Sequence, residues 1–236
     1  MAKRPIFIPI IDRKKDQLVQ EVMVEFSWHK GMASSQKMKN VIEVHEAARE
    51  QDIKPILEVS TKSDNPLGIS LSAFNLEIES AGIRMTLESA FQGSKVFRNG
   101  GPYSDLYGQE GRIIKKDERL KNSGCLISFR FEGQDWELEP KTAFYDWIYI
   151  NALDNLHEMR SRLIDYAGFT DIEFNPKKSI NCQARSCALY ISLIKKNIID
   201  RALKDKYFFL NLLREDSDFQ PHSRNKQEEF FKCCPH

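Results

Sequence analysis

The sequence predicts an α+β fold: one predominantly helical domain with short strands. Three observations predict it. Segments with the two-residue alternation of strands and segments with the 3.6-residue period of helices both occur, with helix in excess. No fixed-period repeat, low-complexity linker or break in composition divides the chain. Its 236 residues, 41% hydrophobic and 29% charged, suffice to bury one sizeable core. The domain is expected over residues 1–215, with N-terminal strands and a helix in 1–65, the chemistry in 66–200, and a polar, frayed tail over 216–236.

Arg4 to Pro9 and Val22 to Trp28 carry strand patterns, the second with Val22, Val24, Phe26 and Trp28 alternating against Met23, Glu25 and Ser27. Ser34 or Ser35 can cap a helix from Gln36 to Glu50, in which Met38, Ile42 and the Ala47/Ala48 pair lie near one stripe. His45, within that helix, is a structural residue on this reading, because no Ser or Cys nucleophile motif accompanies it. Pro55 to Ser60 fits a buried strand, Ser63 to Gly68 a turn, and Ile69 to Ile78 either strand or loop. Thr86 offers an N-cap for a helix through Phe97, closed by the Asn99-Gly-Gly-Pro102 turn. Arg112 to Lys121 is expected to be helical, with Cys125 to Phe131 and Asp135 to Glu139 forming a hairpin. Thr142 caps a helix through Leu153, another runs from His157 to Tyr166 and ends at Gly168, and a long helix begins near Ser179 after an irregular stretch.

Charge and cysteine content exclude several classes. Lys and Arg number 35 against 34 Asp and Glu, so nothing global draws the chain to nucleic acid, and any DNA contact must be local. The apolar stretch Ile6 to Ile11 is short for a signal-peptide core, and no window approaches the roughly 20 apolar residues of a membrane span. The five cysteines form no CxxC pair, which predicts free thiols in the cytoplasm; Cys233, Cys234 and His236 lack structural-zinc spacing. Walker, GxGxxG and GxSxG motifs are absent.

On the helix expected after Thr86, Glu88, Gln92 and Lys95 stand at i, i+4 and i+7, one stripe of a helix. The bland reading is a solvated face with a Glu to Lys pair. Against it, Leu87, Ala90, Phe91, Val96 and Phe97 leave little room for a broad polar face. Gly100 to Asp105 supplies glycines for close backbone approach and a carboxylate. Lys115 to Lys121 is a basic run that suits phosphates or a solvated helix face. Asn175 to Asn181, leading into a helix, would gather Lys177, Lys178 and backbone N–H groups as a diphosphate cradle.

The segments LSAFN at 71–75, LESAFQGSKVF at 87–97, TDIEFNP at 170–176 and SINCQAR at 179–185 resemble the NADAR family. Its YbiA-like members carry an FSNF-type segment and an E-x-x-x-Q-x-x-K helix. The greatest similarity is to the branch found beside DarT-type DNA ADP-ribosyltransferase toxins, and it extends to FSWH at 26–29 and FYDW at 144–147. The Trp-Gly block of YbiA-like members corresponds here to IEFNP at 172–176.

The resemblance implies a hydrolase that cleaves the N-glycosidic bond of ADP-ribosylated guanine in DNA, releases ADP-ribose and so acts as an antitoxin against a cognate DarT-type toxin. No cofactor, metal or membrane is implied. Glu88 would act as acid/base, Lys95 as Schiff-base nucleophile or cation, and Asp105 would assist proton transfer. Gln92 would orient ribose hydroxyls, Phe74, Tyr103 or Trp147 would stack on a base, and Lys178 and Arg185 would neutralise the diphosphate. Asn75, Asn175 and Asn181 complete the expected substrate contacts. Two other functions fit the residues: an N-glycosidase of a small N-ribosyl metabolite, of the riboflavin-intermediate type, and a non-catalytic protein that binds ADP-ribose or the toxin.

Overall fold

Neighbouring residues of a strand face opposite sides, and Ile6 and Phe7 of β1 (Ala2–Pro9) accordingly enter two different apolar clusters. A computed structural model describes residues 1–31 and 33–216. β1 pairs antiparallel with β2 (Val19–Phe26) along its whole length, from Ala2 opposite Phe26 to Pro9 opposite Val19. Helix α1 (Ser34–Arg49) lays Val41, Val44 and Ala48 against Ile6, Val24 and Phe26, and β3 (Ile56–Glu58) follows. Neither Ser34 nor Ser35 caps α1; Ala33 occupies the cap without a side-chain bond.

The next stretch departs from its expected form. Asn65 Oδ1 accepts from Leu67 N at 2.9 Å and starts α2 (Pro66–Ser70), so the expected turn is a helix start. Ile69 to Ile78 is not one strand: only its end enters β4 (Glu77–Ser80), which turns through Ala81 and Gly82, both at positive φ, into β5 (Ile83–Thr86). Then come α3 (Leu87–Gly93) and β6 (Lys95–Phe97), a 3-10 turn at Ser104–Leu106, and α4 (Gly111–Lys116) and α5 (Arg119–Asn122), so the expected single helix from Arg112 to Lys121 is broken at Asp117. β7 (Leu126–Phe131) pairs with β6 on one side and with β8 (Gln134–Trp136) on the other.

Helices α6 (Ala143–Asn155) and α7 (His157–Leu163) precede β9 (Gly168–Thr170). Gly168, expected to end a helix, instead begins this strand, which lies inside the main sheet in the order β2-β1-β9-β3. Three residues are too few to display a period, so the strand is hidden in the sequence. α8 (Gln183–Lys195) starts later than expected and is almost wholly buried, packing Ala184, Cys187, Leu189 and Ile191 into the core with α6, α9 (Ile199–Lys204) and α10 (Lys206–Glu215). Helix exceeds strand in this α+β arrangement.

His45 is buried. Its Nε2 bonds Thr170 Oγ1 at 2.9 Å, and that hydroxyl donates to the buried Glu58 at 2.7 Å. Desolvation lowers the His45 pKa to about 4. Cys182 and Cys187 are buried free thiols; Cys233, Cys234 and His236 lie outside the described residues, as does the expected tail apart from Asp216, which is buried. Among the described residues no helix is long and apolar enough to cross a membrane.

Candidate active site

Thr86 Oγ1 accepts from Ser89 N at 3.2 Å and caps α3, which places Glu88 in the first turn. The 71–75 segment holds this start in place. Glu88 N donates to Ala73 O at 2.9 Å, Ala73 N donates to Gln183 Oε1 at 2.8 Å, and the buried Tyr149 hydroxyl donates to Leu71 O at 2.7 Å. One turn on, Gln92 Nε2 donates to Glu88 Oε1 at 3.0 Å.

The helix stops at Gly93, so Lys95 is not on the stripe with Glu88 and Gln92. A Cβ at Gly93 would stand 2.5 Å from the Tyr107 ring, and Tyr103 N donates to Gly93 O at 2.7 Å. Beyond it, Arg130 N bonds Ser94 O at 2.8 Å and Lys95 pairs with Phe129 across β6 and β7. The chain thus leaves the helix for a sheet edge. Lys95 nevertheless faces the same space as Glu88 and Gln92: all three line a cavity of about 1100 Å3, together with Lys115, Lys121 and Lys178. Lys95 Nζ stands 5.1 Å from the centre of the Phe91 ring. Desolvation lowers its pKa while the charge of Glu88 opposes the shift. A second cavity, of about 280 Å3, meets the first at Gln92 and Lys95. A carboxylate, an amide and a desolvated amine on one wall, ringed by cations, can hold an anionic sugar conjugate and move a proton at its reacting carbon.

The profile of a protein family described as DarT1-associated NADAR antitoxin matches residues 2–223. The chain belongs to this family. None of the curated proteins compared matches it.

Within this NADAR antitoxin the expected site residues separate into two groups. Glu88, Gln92, Lys95 and Lys178 line the large cavity, and Asn181 lines the small one with Gln92 and Lys95. The other seven are absent from both linings. Asp105 is exposed and held by Arg119 at 2.6 Å, whose hydrogen bond keeps its carboxyl below the usual carboxylate range. The same guanidinium binds Asp117 at 2.6 Å and covers the Tyr103 ring at 4.5 Å, while the Tyr103 hydroxyl bonds Ser123. Phe74 is outside the lining, and the Nζ of Lys115, which lines the cavity, sits 4.9 Å from its ring centre. Asn75 Nδ2 donates to Ile69 O at 2.8 Å. Asn175 shapes the turn that brings Lys177 and Lys178 to the cavity, accepting from Lys177 N at 3.0 Å and Lys178 N at 2.8 Å.

Trp147 packs on Trp136 at 4.9 Å instead of facing the cleft. Arg185 is engaged below the surface: its Nη1 bonds Asp146 at 2.7 Å, and Nη2 stands 3.6 Å from Asp216. Sequence reasoning missed Tyr145, which is buried, lines the small cavity and packs edge-on against Phe91 at 5.2 Å. The 144–147 segment held the signal, but Trp147, its larger ring, was the residue singled out. Arg98 on the large cavity and Glu137 on the small one were also missed, since neither belongs to a local motif, whereas Lys115 and Lys121 come from the basic run and Asn99 from the turn already singled out.

Proposed function

We propose that this antitoxin is a DNA ADP-ribosyl glycohydrolase that cleaves the N-glycosidic bond between ADP-ribose and guanine, reversing the product of a DarT-type toxin. The observation that carries this reading is the convergence of Glu88, Gln92 and Lys95 on one lysine-ringed cavity of about 1100 Å3 although Lys95 comes from a different element. The cavity size suits a ligand larger than a single nucleoside, and its cations match a diphosphate.

Glu88 and Lys95 share one proton in the proposed reaction. With the amine neutral and the carboxyl protonated, Lys95 Nζ attacks the anomeric carbon of the ribose, and the bond from that carbon to the guanine exocyclic nitrogen breaks. Glu88 gives its proton to the leaving nitrogen. A water then adds to the same carbon, Nζ leaves as the neutral amine, and the proton of the water returns to Glu88. The products are unmodified guanine and ADP-ribose. Gln92, bonded to Glu88, orients the carboxyl and meets a ribose hydroxyl. The modified base is inside the stack of a duplex, so it reaches this cavity extruded.

The test is incubation of the pure protein with an oligonucleotide carrying ADP-ribose on guanine, with and without a chelator, following DNA mass and released ADP-ribose. Loss of the ADP-ribose mass by the wild type and its abolition in Glu88→Gln and Lys95→Ala is the expected result. An oligonucleotide left intact by the wild type overturns the proposal and turns attention to a small N-ribosyl metabolite or to binding alone. Turnover retained in Lys95→Arg would eliminate the nucleophile and leave Lys95 a cationic role.

A further inference from the structure

The cleft has two chambers of different chemistry. Five cations, Arg98, Lys115, Lys121, Lys177 and Lys178, line the large one with two acids, Glu88 and Asp117, the second of them paired with Arg119. The small one, about 280 Å3, is walled by Phe91, Phe129, Phe144 and Tyr145, with ring centres 5.3 Å apart for Phe91 and Phe129 and 4.8 Å apart for Phe129 and Phe144. Its lining holds one cation, Lys95 at the junction, and one acid, Glu137.

Among its polar groups the Thr142 hydroxyl donates to Asp146 at 2.7 Å and the Ser179 hydroxyl to Asn181 O at 3.1 Å. The Glu137 carboxylate, the Asn181 amide and the hydroxyl of the buried Tyr145 make no hydrogen bond among the described residues. Three polar side chains therefore remain uncommitted around an aromatic slot, which is the composition of a pocket that binds a flat heterocycle and orients its edge.

Resting on the glycohydrolase reading, we propose that the small chamber receives the guanine base and that Glu137 selects it. The bond to be broken lies at Lys95, where the chambers meet, so its two substituents occupy opposite sides. The diphosphate belongs with the five cations, because the aromatic chamber offers it only Lys95 and sets Glu137 against it. The base is left for the small chamber, stacked on its rings. A carboxylate accepts from two adjacent donors, and the guanine edge offers N1–H beside the remaining N–H of the exocyclic nitrogen. Adenine and cytosine put a ring-nitrogen lone pair where guanine has N1–H. Thymine has one ring N–H, between two carbonyl oxygens, and ADP-ribose attached at that nitrogen replaces it, which leaves the edge with no donor. Each sets a lone pair against Glu137. The Asn181 amide supplies a donor for guanine O6.

The experiment compares wild type, Glu137→Gln and Glu137→Ala on oligonucleotides carrying ADP-ribose on guanine or on thymine, and measures ADP-ribose affinity by calorimetry. Glu137 is exposed and outside the core, so both variants are expected to fold. The expected result is a wild type that prefers guanine, variants that lose roughly 10- to 100-fold in kcat/KM on guanine, and an ADP-ribose Kd that stays the same. Unchanged turnover on guanine overturns the proposal, and so does a matching loss of ADP-ribose affinity, which would put the adenine or the phosphates in the small chamber. If the wild type cleaves neither oligonucleotide, the reaction is wrong and the chamber is tested alone. ADP-ribosylated guanosine binding more tightly than ADP-ribose, with the advantage lost in Glu137→Gln, would support the base pocket; equal binding would refute it.

Discussion

Replacing Arg185 by Met separates a structural ion pair from a substrate contact. The Asp146 side chain is 1% exposed and accepts three bonds: from Arg185 Nη1 and Thr142 Oγ1 at 2.7 Å, and from Ser186 Oγ at 2.6 Å. Removing the guanidinium leaves a buried carboxylate with two hydroxyl donors and no cation at that oxygen, a change that costs about 3–5 kcal/mol. Set against the ~5–15 kcal/mol that holds a domain folded, this is a fifth of the total or more. It corresponds to a fall in Tm of roughly 6–20 °C for a chain of this length. Urea unfolding and a thermal melt measure the loss, and calorimetry with ADP-ribose, at a temperature where the variant stays folded, measures binding. The double variant with Asp146→Asn should recover part of the deficit, because the charge left unpaired is then gone. An Arg185→Met protein with a wild-type urea midpoint and no ADP-ribose affinity would refute the argument and make Arg185 a diphosphate ligand.

Other outcomes follow from the same geometry. Because the proposed attack needs a neutral Lys95 and a protonated Glu88, one proton shared by the pair, kcat/KM should pass through a maximum and fall as pH rises past the Lys95 pKa, which burial lowers below its ordinary 10.5. A wild-type profile that stays flat through that fall would remove the amine from the mechanism. Gly93→Ala puts a methyl 2.5 Å from the Tyr107 ring, so it should cost about 1–3 kcal/mol in a thermal melt and reduce turnover by displacing Lys95; an unaltered Tm would show that Tyr107 moves freely. With the folded His45 pKa at about 4 and the unfolded value at 6.5, the unfolded chain binds the extra proton between those pH values, so stability falls as pH drops from 6.5 towards 4, by up to ~3 kcal/mol. Glu58 and Asp171, whose burial raises their pKa values, slope the opposite way. The difference between wild type and His45→Gln in urea midpoints across that range isolates the histidine, and parallel slopes would contradict its assignment.

Local signals were legible in the sequence. Alternation gave the first two strands, Thr86 marked the start of α3, and the four-residue spacing of Glu88 and Gln92 put them on one turn of it, where they are hydrogen-bonded at 3.0 Å. The segment at 71–75 carried the family resemblance, and its backbone anchors the first turn of α3. These features depend on neighbours within a few residues, which periodicity and capping encode. Lys95 illustrates the limit: the rings and carbonyls that end the helix at Gly93 come from residues 103–107, and the strand that takes up Lys95 pairs with Phe129.

The sequence by itself determined the α+β class, the family, the capped carboxylate and amide of α3, and the basic turn at residues 175–178. Only the tertiary structure decided which charges remain available to a ligand. Arg119 comes across 14 positions to hold Asp105, Asp146 meets Arg185 across 39, and Glu137 reaches the wall that Asn181 lines. Ion pairing and desolvation depend on distance through space, and a linear pattern records no such distance.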